Sequence, residues 1–301
     1  MREPRRVLHI IDTGGPGGAE TVLDSIVAHL TPESWASRVV VPVEDWLSNR
    51  LRSRGADFVI IPSGRGVDPR LLLRLTGEIR GFRPDVIHAH LLGAGVYGSL
   101  AAAVTGDTPL VCTFHGRPDV SPTDRLLALK ARILARQKNR IVYVSHDLRA
   151  HLEPLLSVSS ASGSVIHNGV ELVEPRLAGT ERETCGAGPG ELLVGAVGNI
   201  RPAKDYESLL RAAAIVCHCR SNVRFVIVGD ERSPLAEPLK RMTLDLGLDE
   251  RVRFLGFRED AAALVTSFDV FVSSSRTEGL PLGTLEAVGL GTPVVLTGVG
   301  G

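Results

Sequence analysis

Short apolar strands alternate with amphipathic helices from one end of this chain to the other, and no other feature limits the fold so tightly. Residues 7–11 form a β-branched and aliphatic run, followed by Gly14, Gly15, Pro16, Gly17 and Gly18. Ala19, Val22, Leu23, Ile26, Val27 and Leu30 then recur at helical spacing and give one apolar face. The spacing predicts further strands at 38–41, 58–61, 85–90, 110–114, 140–144 and 164–167, with helical stretches such as 71–80 and 126–135 between them. Strands that are apolar throughout and alternate with helices belong to a parallel sheet covered on both faces.

The rhythm lapses between Glu171 and Glu191, where the chain turns polar and rich in Gly and Pro, so a linker is expected near 172–190. It resumes with strands at 192–197, 225–228, 252–255, 270–273 and 294–296 and a helix at 206–219. The expectation is an α/β protein of two Rossmann-like, doubly wound domains, 1–175 and 188–301, facing a cleft. At roughly 150 residues per domain, 301 residues suit two. The last residues, Gly298 to Gly301, follow the fifth strand of the second domain, which therefore reads as truncated at its C-terminus.

Charge excludes one class of partner. Lys and Arg total 34 against 34 Asp and Glu, with none of the basic excess that nucleic-acid binding requires. The opening apolar stretch is broken by His9 and ends at Asp12, too short for a signal peptide. Residues 91–104 are nearly apolar but fall short of the roughly 20 residues of a membrane span. The expected location is cytoplasmic, compatible with a peripheral position at the inner face of the membrane. Cys112, Cys185, Cys217 and Cys219 lack paired spacing and read as reduced thiols. Cys217-His218-Cys219 is discounted as a metal site, because neighbouring positions on a helix point different ways.

Chemistry in such folds sits in the loops after strands. The Gly14–Gly18 loop suits an anion at a helix N-terminus, although Glu20 breaks the dinucleotide fingerprint and a ligand-free turn explains it as well. Arg201 and Lys204, just past a strand, can both reach a diphosphate or simply face solvent. Glu278 and Glu286 stand eight apart in an otherwise apolar segment. If helical, that is roughly 12 Å, enough to span from a ribose to a sugar, while a helix N-terminus also favours glutamate for its own stability. His88, His90, His115, His146 and His167 all fall near strand ends, and a functional role is expected only of His115.

The segment from Glu278 to Glu286 resembles the E-x7-E motif of retaining GT-B glycosyltransferases, above all glycosyltransferase family 4. Supporting segments stand in order: GGPGGAE at 14–20, DVIHAH at 85–90, TFHG at 113–116, VSHDLRAHL at 144–152, VIHNGV at 165–170, VGNIRPAKDYESLLRA at 197–212 and RFVIVGD at 224–230. The resemblance implies catalytic roles for Glu278, facing the donor sugar's hydroxyls, and His115, beside the transferred sugar. It implies donor contacts from Gly15, Lys204 on the diphosphate, the Leu282 and Gly283 amides on phosphate, and Glu286 on the ribose. Asn199 stands where an arginine is common, and Arg201 takes that role. The implied reaction moves a sugar from a UDP- or GDP-sugar to a hydroxyl of an acceptor glycan or glycolipid, in polysaccharide or glycolipid assembly. No D-x-D occurs, so neither a metal nor another cofactor is expected. The alternatives are a nucleotide-sugar 2-epimerase of the same fold and an inactive nucleotide-sugar-binding remnant.

Overall fold

The computed structural model describes residues 3–64, 66–157, 163–172 and 180–301, and it divides after Asn168 into two compact units. The first runs β1 (Arg5–Ile11), α1 (Gly18–His29), β2 (Trp35–Val41), α2 (Trp46–Ser53), β3 (Asp57–Ile60), α3 (Pro69–Phe82), β4 (Val86–His90), α4 (Leu91–Ala103), β5 (Leu110–Phe114), α5 (Leu127–Leu134), β6 (Asn139–Tyr143), α6 (His146–Leu156) and β7 (Gly163–Val165). Its seven strands lie in the order β3-β2-β1-β4-β5-β6-β7, every pairing parallel. The order reverses between β1 and β4, so their carboxyl ends border the switch point where such sheets bind ligands.

Local sequence explains the helices on this sheet. Asp45 and Ser48 form a capping box at the start of α2, and Asp68 caps α3 just ahead of Pro69 at its first turn. The apolar stretch after residue 91 is α4, a helix buried around most of its circumference. Glycines let it sit close: a Cβ at Gly95 would meet Cys112 Sγ at 2.6 Å, and one at Gly98 would meet Leu110 Cδ1 at 3.0 Å. Among the described residues no helix is long and apolar enough to cross a membrane.

The second unit comprises α7 (Thr180–Thr184), β8 (Leu192–Val197), α8 (Tyr206–Cys219), β9 (Val223–Val228), α9 (Ala236–Asp245), β10 (Val252–Phe254), α10 (Ala261–Val265), β11 (Val270–Ser273), α11 (Leu282–Gly289) and β12 (Val294–Leu296). Its parallel sheet has the order β10-β9-β8-β11-β12, with the switch point between β8 and β11. Leu209, Leu210, Phe225 and Ile227 share one core cluster, and Leu193, Val226, Val228, Phe268 and Phe271 share another.

The expected linker is only partly loop. Residues 173–179 lie outside the described residues, but α7 and the turn after it belong to the second unit. Arg182 donates to the carbonyls of Ser267 and Glu191 and to Asp269, and Cys185 and Ala187 are buried in that unit's core. Two small apolar residues in a polar, glycine-rich string gave no periodicity to read.

Candidate active site

The carboxyl end of β8 is built around close backbone approach. Gly198 N–H donates to the Val228 carbonyl and Ile200 N–H to that of Asp230, drawing the loops after β8 and β9 together. A Cβ at Gly229 would run into the carbonyl of Gly198, so only glycine fits there. Asn199 takes part in the same junction, its Oδ1 accepting from Asp230 N–H at 3.0 Å. Tyr206, buried on the first turn of α8, donates its hydroxyl to the Gly198 carbonyl at 2.6 Å.

Lys204 ends a 3₁₀ turn, Pro202–Lys204, and its side chain lies over Gly198, where a Cβ would meet Lys204 Cε at 2.7 Å. Its Nζ donates to Glu278 Oε1 at 2.6 Å, and Ser275 Oγ donates to the same oxygen, also at 2.6 Å. The pair is mostly shielded, with 21% and 14% of the two side chains exposed, so it is screened less than a surface ion pair. Arg201, the expected second cation, is exposed at the start of the 3₁₀ turn. Arg276, which lies outside every motif, folds back on Asp205 with contacts of 2.9 and 3.0 Å.

Glu278 and Glu286 are not on one helix. Pro281 is the N-cap of α11 and disfavours helical backbone in the residue before it, so Glu278 sits in the loop after β11 and the helical separation expected from sequence does not hold. Gly283 packs against the end of β8, where a Cβ would meet Val197 Cβ at 3.3 Å. The first turn of α11, with the backbone N–H groups of Leu282 and Gly283, therefore stands beside Val197 and Gly198. Such N–H groups have no partner within their helix and carry the positive end of its dipole. Glu286 lies one turn further along α11, and burial pushes its carboxyl up to about 7. The structure thus gathers Lys204, Glu278, Leu282 and Gly283 around one strand end. A depression of ≈ 560 Å³ lined by Asp230, Arg232, Phe254 and Phe257 opens at the ends of β9 and β10.

The remaining expected residues belong to the first unit. Gly15 is half-buried in the loop between β1 and α1. His115, past β5, makes a 3.0 Å hydrogen bond through Nε2 to Nδ1 of His90, and its backbone N–H donates to Asp119 at 2.6 Å. Burial holds the imidazoles of His9 and His115 well below the usual range, at about 3 and about 4, so both are neutral at pH 7. Asp12 accepts from Ala94 N–H, and burial raises Asp12 and Asp119 to about 6. His9, in the sequence only a break in an apolar run, has its ring tilted against those of His88 and His90, at centroid distances of 5.3 and 6.3 Å, in the middle of the sheet.

Two parallel-sheet α/β units, the second with a cation, a glutamate and a helix N-terminus at its switch point, make up an architecture of the GT-B type. Residues 16–174 match Glycosyltransferase Family 4, and residues 191–301 match Glycosyl transferases group 1. The chain belongs to glycosyltransferase family 4. It is 34% identical over 236 residues to a D-inositol 3-phosphate glycosyltransferase of Mycobacterium sp. (strain KMS), covering 72% of this chain and 52% of that protein. It thus spans about half the length of that relative. An Escherichia coli UDP-Gal:alpha-D-GlcNAc-diphosphoundecaprenol alpha-1,3-galactosyltransferase is 27% identical, over 86% of this chain and 70% of its own. Among solved structures, Anabaena HepE in complex with UDP and glucose superposes with a TM-score of 0.85 at 23% identity, covering 98% of this chain and 81% of HepE.

Proposed function

We propose that this chain carries a retaining glycosyltransferase activity, moving a sugar from a nucleotide-sugar to a hydroxyl of an acceptor glycan or glycolipid. The observation that carries the proposal is the Lys204–Glu278 pair beside the first turn of α11. A diphosphate entering there would draw Lys204 off Glu278 and take the Leu282 and Gly283 amides, leaving the Glu278 carboxylate to accept hydroxyls of the donor sugar. Cleavage of the sugar–phosphate bond places charge on the departing diphosphate. Prepositioned donors stabilise that charge without reorganising. One lysine and a helix N-terminus supply such donors, so the reaction needs no divalent metal at the phosphates. Arg201, exposed and near the same loop, is the proposed second phosphate contact, Glu286 the ribose contact, and Gly15 and His115 the donor-side contribution of the first unit.

HepE structures contain UDP and UDP-glucose, which supports a uridine nucleotide over a guanosine one as the donor. The similar proteins are transferases, which does not favour the epimerase reading. The absence of a membrane-crossing helix among the described residues suits a place on the cytoplasmic side, peripheral to a membrane that presents lipid-linked acceptors.

A thermal-shift panel of UDP, GDP, ADP and their sugars tests the donor. A ligand at a hundredfold excess over its Kd stabilises the native state by about 2.7 kcal/mol, so the true nucleotide should stand apart. Turnover should proceed without added Mg²⁺ or Mn²⁺, and NMR of the product should show the donor's anomeric configuration. Stabilisation without turnover would identify a binding remnant, and an inverted product would refute retention.

A further inference from the structure

His9 on β1 is the register partner of His88 on β4, and His90 follows two residues on, so all three side chains project from one face of the sheet. One ring nitrogen from each lies within 4.8 Å of the other two. Neither ring nitrogen of His9 has a hydrogen-bond partner, nor has Nε2 of His90, although both side chains are buried, at 1% and 0% exposure. A buried polar group left unpaired costs about 1–3 kcal/mol, and a leucine at position 9 would avoid that cost. Three converging rings, two of them with unpartnered nitrogens, call for a guest that accepts their lone pairs.

We propose that His9, His88 and His90 form a three-imidazole site for a borderline transition-metal cation, Zn²⁺ foremost, that ties β1 to β4. The donor set decides the class of ion. Neutral nitrogens suit Zn²⁺, Co²⁺, Ni²⁺ or Cu²⁺, whereas Mg²⁺ and Ca²⁺ demand oxygen ligands that the three rings do not supply. The outer partners agree. His88 Nε2 is hydrogen-bonded to Thr113 Oγ1 at 2.9 Å, and His90 Nδ1 to His115 Nε2 at 3.0 Å. With the hydrogen on His90 Nδ1, its unpartnered Nε2 carries the lone pair, the arrangement in which a ligating histidine is oriented by a second hydrogen bond. Closing onto Zn–N distances of about 2.0–2.1 Å moves each nitrogen inward by roughly 0.7 Å, which small ring rotations supply. At the wider spacing a water about 2.8 Å from each nitrogen is the competing guest. The proposal is independent of the transferase reading and of any metal at the donor phosphates.

The test uses the whole chain, stripped with a chelator, dialysed, and reloaded with Zn²⁺, Co²⁺ or Mg²⁺. Elemental analysis should find one Zn²⁺ or Co²⁺ per chain and no Mg²⁺, and Co²⁺ should give the intense visible bands of low-symmetry nitrogen coordination. His9→Leu should abolish stoichiometric binding. Thr113→Val, which keeps all three ligands, should weaken it about 10–100-fold. A wild-type chain that retains no ion, a cobalt spectrum of the hexaaquo type, or a folded His9→Leu chain that binds as tightly as wild type would overturn the site in favour of a buried water. The wild-type cobalt spectrum needs no variant, so it decides the matter if His9→Leu fails to fold.

Discussion

Lys204 and Glu278 are 74 residues apart in sequence and 2.6 Å apart in space, and the proposed chemistry turns on opening that contact. Removing the cation should be felt by phosphate and ignored by ribose. Lys204→Met is therefore expected to weaken UDP-glucose binding about 10–100-fold, matching the ~1.5–3 kcal/mol of a charged hydrogen bond, and to leave uridine binding unchanged by calorimetry. Glu278→Gln should lower kcat more than it raises KM, because its contact strengthens as charge develops on the sugar. A change confined to KM would reduce Glu278 to a binding residue. Glu286 supplies a pH dependence. Its folded value, raised from 4.5 to about 7, means that its contribution to stability is greatest below 4.5 and is lost as pH rises through about 7. The ionised form is the better acceptor of ribose hydroxyls, so UDP-glucose affinity should climb with pH across that range, and Glu286→Gln should flatten the curve. The placement of His115, Lys204 and Glu278 after strands was legible in the sequence, because each follows a short apolar run. Asn199 and Ser275 were not, since each takes its role from a partner brought by folding: Asn199 binds Asp230, 31 residues on, and Ser275 helps hold Glu278. His9 was hidden for the same reason, because only the pairing of β1 with β4 sets it beside His88.

At the scale of elements, periodicity located the strands and helices to within a few residues, and the helix at 206–219 and the strand at 192–197 coincide with α8 and β8. The failures have local causes. Pro281 starts α11 later than a continuous E-x7-E helix would, and α7 is too short and polar to carry a helical stripe. Close approaches between elements were beyond the sequence, and glycines mark them. Gly229→Ala would thrust a Cβ into the Gly198 backbone and is expected to destabilise the second unit by about 1–3 kcal/mol or more. Gly77 is the control. It lies exposed within α3 with no atom within 4 Å of a built Cβ, so Gly77→Ala should stabilise the chain by about 0.5–1 kcal/mol. Chemical denaturation of the two variants checks both signs, and equal effects would contradict the packing account.

Across the whole molecule, one rule of chain organisation operates twice: strands and helices alternate, each sheet is parallel, and each order reverses once, between β1 and β4 and between β8 and β11. That doubling was readable from the lapse in pattern near residue 171, whereas the division after Asn168 and the inclusion of α7 in the second unit depended on packing. The two switch points are chemically unlike. The first is flanked by neutral histidines and buried carboxyls, the second by a lysine, a glutamate and a helix N-terminus. The second is the proposed seat of the diphosphate of a nucleotide-sugar. A crystal structure of the chain with UDP-glucose would show where the diphosphate sits. The diphosphate should lie on the Leu282 and Gly283 amides, with Lys204 Nζ turned from Glu278 onto a phosphate oxygen. A diphosphate seated on the Gly14–Gly18 loop, with the Lys204–Glu278 pair still closed, would contradict that placement.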